Sequence, residues 1–138
     1  MDVLPRNMSF NSQYYCSLLD RLKGAIRDQR RRRCHDFHYH QDNARPHKSN
    51  ESITKLQELG FTILPHPAYS PDIAPSDYYL FAPMKSALAG RNFENAEEIQ
   101  NCITNWLNTK QQAFFSKAFQ ELPNRWQKVI DCNGDYFV

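Results

Sequence analysis

"DFHYHQDNARPHKSNESITKLQELGFTIL", residues 36–64, changes its periodicity twice. Residues 36–41 are aromatic and alternating, the pattern of a short strand whose side chains face opposite ways in turn. Across residues 49–59, Ile53, Leu56 and Leu59 recur every third position, one face of a helix, and Gly60 supplies the stop. "FTIL", residues 61–64, is a second short strand. Strand, helix, strand in that order is a parallel crossover unit, since no tight turn joins parallel strands. The fold class expected is therefore α/β. The carboxyl ends of both strands point to one sheet edge, where open α/β sheets bind ligands.

"QDNARPH", residues 41–47, lies at that edge. Asp42 has two roles open to it: a strand-end turn residue that bonds its own backbone, or an acid held out for chemistry. Downstream, Pro65, Pro67, Pro71 and Pro75 impose an extended, stiff loop, and the next helix begins at Ser76 or Asp77. Asp77 is equally open to a plain N-cap role or to a second chemical acid. Between Asp42 and Asp77 lie 34 residues, and the crossover topology lets their carboxylates converge. Two such groups repel unless one is protonated or a cation bridges them. Hard oxygen donors favour Mg²⁺ or Mn²⁺, and Mg²⁺ takes one or two carboxylates while keeping water and phosphate in its other positions. That donor set suits metal-assisted phosphoryl transfer. Asp72, in "SPDIAPSD", competes as the acid but sits among prolines as a turn former. Asn43, Arg45 and His47 line the same mouth and are the candidate nucleic-acid contacts, with Arg45 open to a phosphate or to a neighbouring acid.

Elsewhere, Tyr15, Leu18, Leu19, Leu22 and Ile26 recur at helical spacing after a cap at Ser12 or Asn11. The helix starting near Asp77 turns Tyr79, Leu80, Met84 and Leu88 inward. Asn95 with Glu98 reads as a capping box before Ile99, Cys102, Ile103, Trp106 and Leu107. A further helix carries Phe114, Phe115, Ala118, Phe119 and Leu122, with Pro123 expected to end or kink it. Trp106, Trp126 and the phenylalanines read as core rather than as platforms for stacked bases.

The chain has 138 residues, 41% hydrophobic and 23% charged, which fits one folded domain spanning residues 1–138 and excludes a disordered chain. No apolar run nears the roughly 20 residues of a membrane span, and the start lacks a secretory signal pattern, so an intracellular protein is expected. Cys16, Cys34, Cys102 and Cys132 form no CxxC pair and read as reduced thiols. "CHDFHYH", with Cys34, His35, His38 and His40, fits no common zinc spacing. His66 reads as a packed loop histidine. Net charge is +2, but residues 21–33 hold seven basic groups against Asp28 alone, a patch that attracts phosphate or simply a solvated helix end.

Four blocks go further. "NSQYYCSLLDRLKGAI", "YHQDNARPH", "LQELGFTILPHPAYSPDIAPSDYYLF" and "LPNRWQKVIDCNGDYF" together resemble the catalytic domain of mariner-family DNA transposases, over essentially the whole chain. The resemblance implies a ribonuclease H-like fold, of which these residues give the last two parallel strands and flanking helices. It implies a signature of Asp, Asp, 34 residues, Asp, with Asp42 matching the second acid and Asp77 the third. It implies Mg²⁺ or Mn²⁺, DNA as partner, a nuclear location and a possible homodimer. The family's first Asp, first hairpin and N-terminal helix-turn-helix modules have no match in residues 1–138. The expectation is thus a partial catalytic domain, inactive alone in DNA cleavage and joining. The alternative is a non-catalytic nucleic-acid-binding or interaction remnant, or a sequence whose first strand lies upstream.

Overall fold

The computed structural model describes residues 3–5, 7–29 and 37–136. Two compact units are present: Met8–Tyr69, and Ser70–Val138 together with Met1–Asn7. The expected strand residue Asp36, the arginines at 30–33, and Cys34 and His35 lie outside the described residues.

The first unit runs α1 (Ser12–Gln29), β1 (Phe37–His40), α2 (Arg45–Lys48), α3 (Asn50–Glu58) and β2 (Phe61–Leu64). The strands pair in parallel, with Phe37 opposite Phe61 and His40 opposite Leu64. Asn11 Oδ1 accepts the Tyr14 amide at 2.8 Å and so caps α1. Ser49 accepts the Ser52 amide and caps α3, while Gly60, at φ 74°, stops it. Tyr15, Leu19, Leu56 and Phe61 form the core, flanked by Ile26, Phe37, Tyr39, Leu59 and Ile63. Complete burial of Leu56 stabilises the unit by about 2–3 kcal/mol. Leu22 departs from the expected stripe and is 38% exposed. The buried face is rotated toward Cys16, whose Sγ lies 4.0 Å from the Ser52 hydroxyl, and Lys23 covers the Phe61 ring at 5.2 Å.

Ser52 is fully buried at a helix position that carries no apolar signal. Its hydroxyl donates to the Pro46 carbonyl at 2.5 Å and accepts from Ser49 Oγ at 2.9 Å. Satisfying that hydroxyl removes the penalty that would otherwise exclude it from a core.

The second unit contains a 3₁₀ turn (Pro71–Ile73), a π-helical turn (Ser76–Phe81), α4 (Ala82–Leu88), α5 (Ala96–Asn108) and α6 (Gln112–Asp131). Ile73, Ala74, Met84, Ile103, Ala118 and Leu122 are its buried apolar residues. Asn95 Oδ1 accepts the Glu98 amide at 2.9 Å, and Glu98 reaches back to the Glu94 amide. The capping box therefore forms, displaced by one residue on its return bond.

Two expectations need correcting here. Of the two outcomes expected at Pro123, the helix does not end there, since α6 continues through it for eight more residues to Asp131. The ring removes one amide donor, but buried Ala118 and Leu122 in the preceding turns anchor the helix against that loss. The aromatic residues of α6 are also not all core: Phe119 is 64% exposed, Trp126 40% and Phe115 37%. Phe114 packs 4.9 Å from Tyr79, 6.2 Å from Trp106 and edge-on to Phe115 at 5.3 Å. Among the described residues no helix is long and apolar enough to cross a membrane, and Cys16, Cys102 and Cys132 are free thiols.

Candidate metal centre

Strand β1 ends at His40, and two residues later the chain turns at Asp42. Asp42 Oδ1 accepts the Ala44 amide at 3.0 Å, the bond of an Asx turn. The same oxygen lies 2.5 Å from His47 Nδ1, which must carry the proton to face a carboxylate. Oδ2 has no hydrogen bond among the described residues, and the side chain is exposed. The turn role and the chemical role are therefore compatible, one oxygen serving each. Partial burial pushes the Asp42 carboxyl up, but the Ala44 amide, the His47 bond and charge on His47 and His66 outweigh it and hold it below the usual carboxylate range.

His47 is in turn immobilised. Its ring packs 4.4 Å from Tyr15 and edge-on to Phe10 at 5.7 Å. Gln41 Nε2 donates to the His47 carbonyl at 3.2 Å, and the Tyr15 hydroxyl donates to Gln41 Oε1. The Tyr15 and Tyr39 hydroxyls lie 3.2 Å apart. Burial, then the bond to Tyr39, raises the Tyr15 pKa far above its ordinary value, so this phenol stays protonated and able to donate. The sequence gives no sign of this buttress, since Tyr15 reads as a helix-face residue and Gln41 as a strand end; only their proximity to His47 in space reveals it.

Asn43 donates from Nδ2 to the His66 carbonyl at 2.8 Å, tying the end of β1 to the loop after β2. His66 Nδ1 meets His40 Nε2 at 2.8 Å, which fits the packed loop histidine expected. Burial and then the charge of His66 lower the His40 pKa. Arg45 is exposed at the start of α2, and His38 is exposed on β1.

Asp77 belongs to the second unit. It is the second residue of the π-helical turn, half-buried, with its amide donating to the Ala74 carbonyl at 2.9 Å. Pro75 occupies the cap position there and no side chain caps the turn, so Asp77 is not the plain N-cap the sequence allowed. Single π-turns concentrate at functional sites because the extra residue re-aims its neighbours. Asp72 sits in the 3₁₀ turn, and its carbonyl accepts from Arg125 at 2.9 Å.

Among the described residues, no three His, Cys, Asp or Glu side chains group as a complete cation cage. The donor chemistry still fits a hard divalent cation. Asp42 offers one oriented carboxylate oxygen, and Mg²⁺ needs only one or two carboxylates when water and phosphate fill the rest.

No family model matches the chain. The Mariner Mos1 transposase of Drosophila mauritiana is 35% identical over 138 positions, 98% of this chain and 40% of that protein. The human Histone-lysine N-methyltransferase SETMAR is 41% identical over 96 residues, 70% of this chain and 14% of that protein. Among solved structures, the Mos1 catalytic domain with Raltegravir and Mg superposes with a TM-score of 0.94 at 34% identity, covering 99% of this chain and 70% of that one. A counterpart contains Mn, and others are a paired-end complex and a Strand Transfer Complex. The chain spans well under half the length of either curated relative. The parallel strand pair and its helices correspond to part of the ribonuclease H-like fold of that catalytic domain. On sequence and structure alike, this chain belongs to the mariner transposase family and matches its catalytic domain.

Proposed function

We propose that residues 1–138 supply the second and third metal-ligating acids, Asp42 and Asp77, of a cut-and-paste DNA transposase, acting on phosphodiester bonds with Mg²⁺ or Mn²⁺. One observation carries this most: Asp42 stands at the carboxyl end of a parallel strand with Oδ1 fixed by Ala44 and His47. With Oδ1 so held the carboxylate is oriented and Oδ2 is the oxygen left to meet a cation, and Asp77 follows at the family's spacing. A bound divalent cation would stabilise charge on the phosphate and lower the pKa of an attacking water. His47 orients the Asp42 carboxylate, Asn43 holds the neighbouring loop in place, and Arg45, which is exposed, would take a phosphate. DNA as substrate is supported by the Mos1 complexes, and a paired assembly of two copies by the paired-end ones. A nuclear location follows from a chromosomal substrate.

Mn²⁺ titration of the purified chain, followed by electron paramagnetic resonance, tests the ligand assignment. Binding that weakens in both Asp42→Ala and Asp77→Ala is the expected result; binding unchanged in both would remove these acids from the site. Plasmid nicking in Mg²⁺ or Mn²⁺ then reports whether residues 1–138 cut DNA unaided, for which the expectation is none.

One observation favours a second reading, a DNA-binding segment retained without catalysis. SETMAR carries its matching 96 residues as 14% of a protein named for another activity. Salt-dependent retardation of duplex DNA, undiminished by Asp42→Ala and unaccompanied by Mn²⁺ binding, would select it.

A further inference from the structure

We infer that Arg125 of α6 is a positioning residue for Asp77. The inference rests on the metal-ligand reading of Asp77 above and adds what holds that residue in place. Three interactions converge on the short segment that carries it. Arg125 Nη1 donates to the Asp72 carbonyl at 2.9 Å, anchoring the 3₁₀ turn before the segment. Its guanidinium lies 3.8 Å from the centre of the Tyr78 ring, the stacked geometry a planar cation favours. The Tyr78 hydroxyl donates to the Ala118 carbonyl at 2.5 Å, one helical turn before Leu122.

Tyr78 is the residue next to Asp77, and both amides bond the Ala74 carbonyl, at 2.9 and 3.1 Å. A π-turn is a rare, single-turn departure from α-helical bonding, so its register depends on the contacts around it. The clamp on Tyr78 and Asp72 brackets Asp77 from both sides and ties its backbone to the buried face of α6. Glu121, one turn earlier, lies 3.9 Å from Arg125 Nε and keeps the guanidinium over the ring.

The test replaces Mg²⁺ by Fe²⁺ in the full chain, with ascorbate and peroxide, so that bound iron cuts the backbone beside its ligands; fragments are sized by mass spectrometry. The wild-type chain is expected to be cut near Asp42 and near Asp77. In Arg125→Ala the cut near Asp77 should fall by roughly tenfold or more while the cut near Asp42 persists. Amide exchange should quicken at Ser76–Phe81 but not in α5, a selectivity that general loosening would not give. Arg125→Lys and Tyr78→Phe should give intermediate losses and decide the matter if Arg125→Ala does not fold. Wild-type cutting near Asp77 that these variants leave undiminished overturns the positioning role. A wild-type chain not cut near Asp77 instead overturns the metal reading beneath it.

Discussion

His47 Nδ1 meets Asp42 Oδ1 at 2.5 Å, and the Ala44 amide occupies the same oxygen. The carboxylate is thereby held by one atom, and the ring that holds it is pinned by Tyr15 and Phe10. His47, which the sequence offered as a contact for nucleic acid, has a prior task in orienting the acid.

Replacing His47 by Ala removes a carboxylate bond and a partly buried aromatic contact together. Loss of about 1–3 kcal/mol of stability is expected in urea unfolding. Mn²⁺ affinity should fall by roughly ten- to a hundredfold, the usual cost of deleting a group that orients a ligand. Stability and affinity both matching wild type would show that the pair is incidental.

Asp42 also sets a pH dependence. Its carboxyl is held below the ordinary value in the folded chain, so the folded state binds its proton less readily than the unfolded one. Stability from this group is present above the unfolded pKa of about 3.9 and is lost as pH falls through the lower folded value. Because the side chain is exposed, the effect on global stability is small and is best read locally. A carboxyl ¹³C titration should place the Asp42 midpoint below that of unstructured Asp, and His47→Ala should move it upward. A midpoint at or above the unstructured value would contradict the geometry.

Leu56 tests the core of Met8–Tyr69. It is wholly buried against Tyr15, Leu19 and Phe61, so Leu56→Ala should cost about 2–5 kcal/mol through lost burial and the cavity left behind. A change under about 1 kcal/mol in chemical denaturation would mean the site collapses around the smaller side chain.

Much of this arrangement was legible in residues 36–64, because period, length and Gly60 agreed on strand, helix and strand. Asp42 was legible for the same reason: a strand end fixes where the following residue can point. Ser52 was not, since a polar residue in a helix is buried only when distant groups satisfy it, here the Pro46 carbonyl and Ser49. The buttress of His47 was hidden likewise, as Tyr15 reads as a core residue whether or not its hydroxyl is used. The π-turn at Asp77 leaves no periodic signal in six residues. On α6 the apolar spacing was real, but spacing reports which residues share a face and not whether anything covers it.

Pro123 gives the last test. It is exposed inside α6, where its ring leaves the Phe119 carbonyl without the amide that an ordinary helix would supply. Relative to Ala, proline in a helix interior costs about 3 kcal/mol. Against this, proline restricts the unfolded chain, which returns about 0.4–1 kcal/mol to the native side. The first quantity is larger, so Pro123→Ala should stabilise the second unit by about 1–2 kcal/mol after allowance for partial relief by local bending. Thermal and urea unfolding followed by far-ultraviolet dichroism would measure it. A destabilised variant would mean that the proline itself is needed to seat Leu122, and that the helix is held by its packing rather than in spite of its proline.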